Sequence, residues 1–242
     1  MINYELKENN KKLFIINIIF LICAFSCLIC YDILGGLWLK GVTSGWFVML
    51  GFLNVLYVWN HKKTRRSFVF LIELGLFFGM CADILLGVHF ISGILFFAAG
   101  HVAYLVAFFM LEKFKKRDIL ITLPFVVFSL YIVAGTSFIQ IEDQILEKML
   151  LGYACIIACM LGKAVSNLIS EKSKYRWLIL VGSIMFWFSD IVLAIDMFGE
   201  SSRLTWILCS YVYWPAQNIM AHSMFYINDK KWDFRMNYEL YY

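Results

Sequence analysis

The sequence predicts an all-α, polytopic transmembrane helix bundle of about eight helices, and three observations carry that reading. Runs of about 20 apolar residues recur down the whole chain, the length needed to cross a hydrocarbon layer about 30 Å thick. Hydrophobic residues fill 62% of the 242 positions and charged ones only 16%, whereas a soluble domain carries about 25% charged residues. Lysine and arginine gather in short clusters between alternate apolar runs, as the positive-inside rule requires of a protein threaded through a membrane. Residues 1–242 therefore read as one integral membrane domain with no room for a soluble one.

The expected spans fall at 13–31, 36–59, 67–88, 90–111, 119–138, 145–169, 177–198 and 204–227. The first follows Lys11 and Lys12 and resembles a signal peptide, but it is too long for one, and "CLICYD" lacks a small-residue cleavage site, so it reads as a retained anchor. The second carries Lys40 near its outer start. The third holds Glu73 and Asp83, the fourth His101, and the fifth no ionisable candidate. The sixth holds Lys163, the seventh Asp190 and Asp196, and the eighth Gln217, Asn218 and His222. Tyr104 and Tyr213 join them by spacing: His101 and Tyr104 are three apart, Tyr213 and Gln217 four apart, and each pair shares a helix face.

A cytoplasmic N-terminus places the basic clusters around Lys11, Arg65, Lys115, Lys174 and Lys230 on one side and leaves short, acidic outer loops such as "IQIEDQ" at 139–144. Both termini then face the cytoplasm, an arrangement that suits a bacterial cytoplasmic membrane. The net charge of +4 is no nucleic-acid signal, since the basic clusters suffice to meet anionic lipid heads. The tail "NDKKWDFRMNYELYY" reads as an interfacial segment. A homodimer is compatible with such a chain.

All seven cysteines lie inside apolar runs. The C-x-x-C of "CLIC" is best read as two small apolar residues, and no disulfide framework is indicated. A weak internal repeat aligns 83–104 with 190–211, matching Asp83 with Asp190, Ile84 with Ile191, Leu86 with Leu193 and Tyr104 with Tyr211. Two halves of four helices would then share one orientation, a 4+4 parallel repeat.

A charge at mid-bilayer costs about 2.5–3.5 kcal/mol, so such residues are paired or functional. At 1.5 Å per residue, Asp83, Asp190, Tyr213, His101 and Gln217 lie about 7, 10, 13, 16 and 20 Å below the outer surface, close enough in depth to bracket one cavity. Ala194 shares a face with Asp190 and leaves space beside the acid. Each candidate also has a structural reading: hydrogen-bonded acids, a core histidine, and helix-joining Gln217 and Asn218. Glu73 and Lys163, nearer the inner side, read as a neutralising pair.

The chain has no H-E-x-x-H, G-x-S-x-G or Walker loop, and His89 and His222 lie too far apart in depth to join His101 as zinc ligands. What remains is acid–base chemistry by two embedded carboxyls. A carboxyl removed from water resists ionising, and two that share a site divide their protons unevenly, so one can act as a proton donor.

Four segments, "ADILL" at 82–86, "GHVAYLVAFF" at 100–109, "GSIMFWFSDIVLA" at 182–194 and "YVYWPAQNIM" at 211–220, resemble in order and spacing the pattern of the YhhN-like lysoplasmalogenase family. Two departures stand out: Ala82 occupies a position where the family usually has glycine, and Pro215 is expected to kink the eighth helix before Gln217. The resemblance implies an eight-helix hydrolase that cleaves the vinyl ether of a lysoplasmalogen to a fatty aldehyde and a glycerophospho head group, with no metal or organic cofactor. It implies catalytic roles for Asp83, Asp190 and His101, with Asp190 favoured as the acid because it lies deeper, and His101 activating water. Lys40, Tyr104, Tyr213 and Gln217 would bind the lysophospholipid, Lys40 through its phosphate. The main rival is a small lipid or solute transporter built on the same polar site. A non-catalytic membrane scaffold is the third reading.

Overall fold

The structure, a computed structural model, describes residues 2–61 and 65–227, with side chains from Asn10 onward. The C-terminal tail and Lys62 and Lys63 lie outside the described residues, so the interfacial reading of that tail is not addressed. Eight helices follow in order: α1 (Ile2–Leu34), α2 (Leu37–His61), α3 (Arg66–Leu86), α4 (Phe90–Leu111), α5 (Lys116–Gly135), α6 (Gln144–Ser170), α7 (Lys174–Phe198) and α8 (Arg203–Ser223). Among the described residues there is no strand.

Short links with defined caps set the ends. Gly35 and Gly36 join α1 to α2 with φ of 65° and 95°, a left-handed backbone that glycine adopts without steric cost. Asp143 Oδ1 accepts from the amides of Ile145 and Leu146 at the start of α6. Ser202 Oγ accepts from Thr205 N at the start of α8, while Thr205 Oγ1 accepts from Ser202 N.

Seven of the eight helices are long and apolar enough to cross a membrane, and the chain is an integral membrane protein. The exception is α8, whose 21 residues equal the length of α3. Its polar side chains lower its mean hydropathy, and they point inward: Ser210, Gln217, Asn218, His222 and Ser223 are all buried. The helix touches α1, α2, α3 and α7. It also continues through Pro215 as one helix.

Packing follows the fourfold offset suggested by the repeat. Helices α2, α3, α4, α6, α7 and α8 form a closed ring in which α4 meets α6 as α8 meets α2, and α3 pairs with α4 as α7 pairs with α8. The remaining two helices lie outside the ring, α1 on α2 and α5 on α6. Here the halves differ, because α1 also packs on α8 whereas α5 leans on α7 and has little contact with α4.

One sequence expectation fails at the end of the bundle where α5 begins. Lys163 does not pair with Glu73. Its Nζ lies 2.8 Å from Asp118 Oδ2 and donates to the Lys113 carbonyl at 3.2 Å. Asp118 also accepts from Ser166 Oγ and from the Lys115 amide. The expected fifth span began at 119, one residue past this acid, whereas α5 begins at Lys116, which brings Asp118 onto the helix and against α6. A second buried network joins α1, α2 and α8: Asn17 and Asn54 exchange side-chain amide hydrogen bonds at 3.1 and 2.9 Å, and His222 Nδ1 lies 2.9 Å from Asn17 Oδ1.

Removing one partner of a buried pair strands the other. Lys163→Met is expected to destabilise the protein by about 3 kcal/mol, the low end for buried pairs, because this one lies at the end of the bundle. Lys163→Met with Asp118→Leu should regain most of that loss. Unfolding in detergent measures both, and equal losses would remove the pairing as the cause.

Candidate active site

Two acids of the ring are each held by three helices, and the two arrangements correspond under the fourfold offset. Asp83 on α3 accepts from Ser44 Oγ of α2 and, at 2.9 Å, from Tyr213 OH of α8. Trp214 Nε1 donates to the same serine at 3.1 Å. Gln217 Nε2 donates to Tyr213 OH at 3.3 Å, and Tyr104 OH donates to Gln217 Oε1 at 2.7 Å. This chain of hydrogen bonds is wholly buried. Glycines make room for it: a Cβ on Gly75 would collide with the Tyr104 ring, and one on Gly79 would lie 2.5 Å from Gln217 Nε2. Small residues of this kind let helices approach closely inside a membrane.

Asp190 on α7 accepts from Tyr153 OH of α6, and His101 Nε2 of α4 lies 4.0 Å from its Oδ2. The His101 ring stands edge-on to Tyr153 and Phe186, with centroids 5.5 and 5.3 Å away. Both its nitrogens are buried without a hydrogen-bond partner. The Phe97 carbonyl, one turn earlier, lies near the ring but does not form a hydrogen bond of good geometry. A polar atom left in this state is costly unless a water or ligand meets it, and 4.0 Å is a separation that one bridging water can span.

The surroundings of the two acids differ. Asp190 opens onto a narrow cleft with a cavity volume of about 70 Å³, part of it continuous with the outside. Its walls are almost entirely apolar and come mainly from α4, α5, α6 and α7, including Phe97, Ile157, Trp187, Ala194 and Phe198. Ala194 lies on the cleft beside the acid, as its spacing suggested. Trp187 Nε1 donates to Ser129 Oγ of α5 at 2.8 Å, which ties the peripheral helix to the wall. Asp83 does not line this cleft, nor do His101, Tyr104, Tyr213 or Gln217. Tyr213 packs edge-on to Phe97 and Phe186, both at 5.7 Å, so an aromatic layer lies between the acids. Among the described residues no hydrogen bond joins the two carboxyls, but they are close enough for their charges to interact. Enclosure runs opposite to the expected depth: Asp83 is 3% exposed, and the Asp190 side chain 9%.

Lys40, half-buried in the first turn of α2, is within electrostatic reach of Asp83 and Cys209. Asp196 lies in the last turn of α7, accepting from Ser201 and Thr205. Among the described residues no three His, Cys, Asp or Glu side chains gather as a metal site requires. The sequence reading missed Tyr153, Ser44 and Trp214. The repeat held the available signal, because a donor on α2 for Asp83 implies one on α6 for Asp190.

Tyr213→Phe removes one of the two donors to Asp83 and is expected to cost about 1 kcal/mol of stability. Ser44→Ala should cost more in that background than alone, since Asp83 would then have no side-chain donor. A double-mutant cycle of unfolding in detergent checks this coupling, and strict additivity would refute it.

No curated protein and no solved structure matches the chain. The sequence pattern of the YhhN family matches residues 43–224, from the first turns of α2 to just past the end of α8, and so spans both acids and all their hydrogen-bond partners. The chain belongs to the YhhN family.

Proposed function

We propose that the protein is a membrane hydrolase that cleaves the vinyl ether of lysoplasmalogen-type lysophospholipids, with Asp190 as general acid. The observation that carries this reading is Asp190 at an apolar cleft, held by Tyr153 and facing an unbonded His101. An alkenyl chain suits the apolar walls. Vinyl-ether hydrolysis also needs a proton delivered to carbon and a water molecule beside it.

Asp190 gives its proton to the alkene carbon once removed from the ether, and an oxocarbenium ion forms. Water adds to the carbon bonded to oxygen, and its spare proton passes to His101. The resulting hemiacetal breaks its bond to the glycerol oxygen. That oxygen takes the proton from His101, the hemiacetal hydroxyl returns one to Asp190, and a fatty aldehyde leaves. The net change is the addition of one water. Asp83 supplies a fixed negative charge behind the aromatic layer, which favours the developing cation. Tyr104, Tyr213 and Gln217 hold that layer in place, and Lys40 meets the phosphate of the head group. Both termini face the cytoplasm, and a bacterial cytoplasmic membrane is the setting that the short loops suit.

The fourfold repeat also suits a carrier, and the first test separates the two. Purified protein in detergent, given a panel of lysophospholipids, should release aldehyde detectable by mass spectrometry, whereas a carrier leaves the lipid intact. Asp190→Asn should lower kcat by at least about 100-fold with the fold retained. Tyr153→Phe should lower it about 10-fold, the equivalent of one hydrogen bond. Full turnover by Asp190→Asn would remove the proposed acid.

A further inference from the structure

A second opening lies on the far side of the ring, between α1, α2 and α3. It is a groove with a cavity volume of about 550 Å³, open on one side and lined by Phe20 of α1, Val48 and Phe52 of α2, and Phe70 and Phe77 of α3, among other apolar residues. Its one ionisable residue is Glu73. No residue is shared with the Asp190 cleft.

Among the described residues, Glu73 is the one acid in the bundle's interior without a hydrogen-bond or ion-pair partner. Its Oε2 is buried and makes no hydrogen bond, and among the described residues the side chain enters no ion pair. The carboxyl rests on the bare backbone of α2 at Gly51, where a Cβ would collide with it. By contrast, Asp83, Asp118 and Asp190 each accept from side-chain donors. An unpaired acid among apolar side chains is costly, and such a residue marks either a missing partner or a function.

The groove defines what the missing partner must offer. No lysine, arginine or histidine lines it, so it has nothing for a phosphate or carboxylate head. A lone acid beside several phenylalanine faces complements a cation, which aromatic rings also attract. Glu73 lies seven residues into α3, about 10 Å along the helix from its start. Phe77 and Val48 extend the groove along α3 and α2 on the bundle's outward face, along the path a hydrocarbon chain would take. The cavity volume of about 550 Å³ lies within the range of about 300–1,000 Å³ typical of small-molecule sites.

We propose that this groove binds a single-chain amphiphile with an ammonium head group, its nitrogen meeting Glu73 and its chain lying along Phe77, Val48 and Phe20. The site is separate from the proposed hydrolase site and does not depend on its chemistry.

The test is thermal stabilisation of the purified full chain in an uncharged detergent, titrated with dodecylamine, dodecanol or dodecyl sulfate. Dodecylamine should stabilise the protein at the lowest concentration. Glu73→Gln should raise its half-saturating concentration at least about tenfold, equivalent to about 1.4 kcal/mol, and leave the dodecanol response unchanged. Equal amine binding by Glu73→Gln and the native chain would overturn the proposal. So would dodecanol matching dodecylamine on the native chain, which would mean apolar docking alone. A third overturning result is a groove covered by a second copy of the chain, seen as a dimer that Val48→Trp dissociates. Should Glu73→Gln fail to fold, Val48→Trp, which crowds the groove without replacing the acid, must raise the half-saturating amine concentration at least about tenfold; unchanged binding refutes the site. Lysolipid hydrolysis does not enter any of these readouts.

Discussion

A bilayer offers no water to a polar side chain, so polar groups within the spans must find partners inside the protein. That constraint explains why the ring of six helices turns its polar residues inward, and why α8, the most polar helix, is packed against four others. It also explains the chemistry of the contacts. Hydroxyls of Ser44, Tyr213 and Tyr153 meet acids, Asn17 and Asn54 satisfy each other across helices, and Lys163 is paired with Asp118 in the first turn of α5. Apolar residues such as Phe52, Phe77 and Leu120 face outward, as they must on a surface solvated by acyl chains.

The offset by four helices gives each half the same construction: an acid on the third helix, a hydroxyl donor on the second, and an aromatic or imidazole group from the fourth helix of the other half. The peripheral helices break this equivalence. Tyr31 of α1 packs edge-on to Trp214 of α8 at 5.3 Å and closes the region over Asp83. In the other half α5 leans toward α7, and the space beside α4 becomes the cleft at Asp190. A small difference in where one outer helix rests thus separates an acid sealed in the core from one that a ligand can reach. Sequence similarity between the halves is faint because packing constrains size and polarity more than identity.

Seven of the spans were readable because a helix that faces acyl chains must supply about 20 apolar residues. Partnerships were less so. Asp118 sits in a run of basic residues, and a boundary shift of three residues is enough to make it look solvated. Tyr153 and Ser44 are uncharged, and such residues are unremarkable in a span until the fold aims them at an acid. Glu73 and Lys163 matched in depth, but depth is one coordinate of three, and Lys163 faces α5 while Glu73 faces α2. For α8 the hydropathy average misleads for a physical reason: a helix surrounded by other helices need not be apolar.

The contrast between the two paired acids bears on which of them can act. An ionised carboxyl has about four lone-pair directions to satisfy. Asp83 takes two side-chain donors, one of them held in turn by Trp214, and the chain through Gln217 to Tyr104 leaves its neighbours committed as well. Such a group is fixed, and moving its proton would disturb several buried bonds together. Asp190 takes one donor, and the imidazole beside it takes none. Capacity left open at a cleft is what a reacting molecule and a water require, since both must be bound without first breaking the protein's own contacts. On the proposed mechanism this contrast assigns the proton transfer to the acid with fewer partners and leaves the more heavily bonded acid as its fixed electrostatic background.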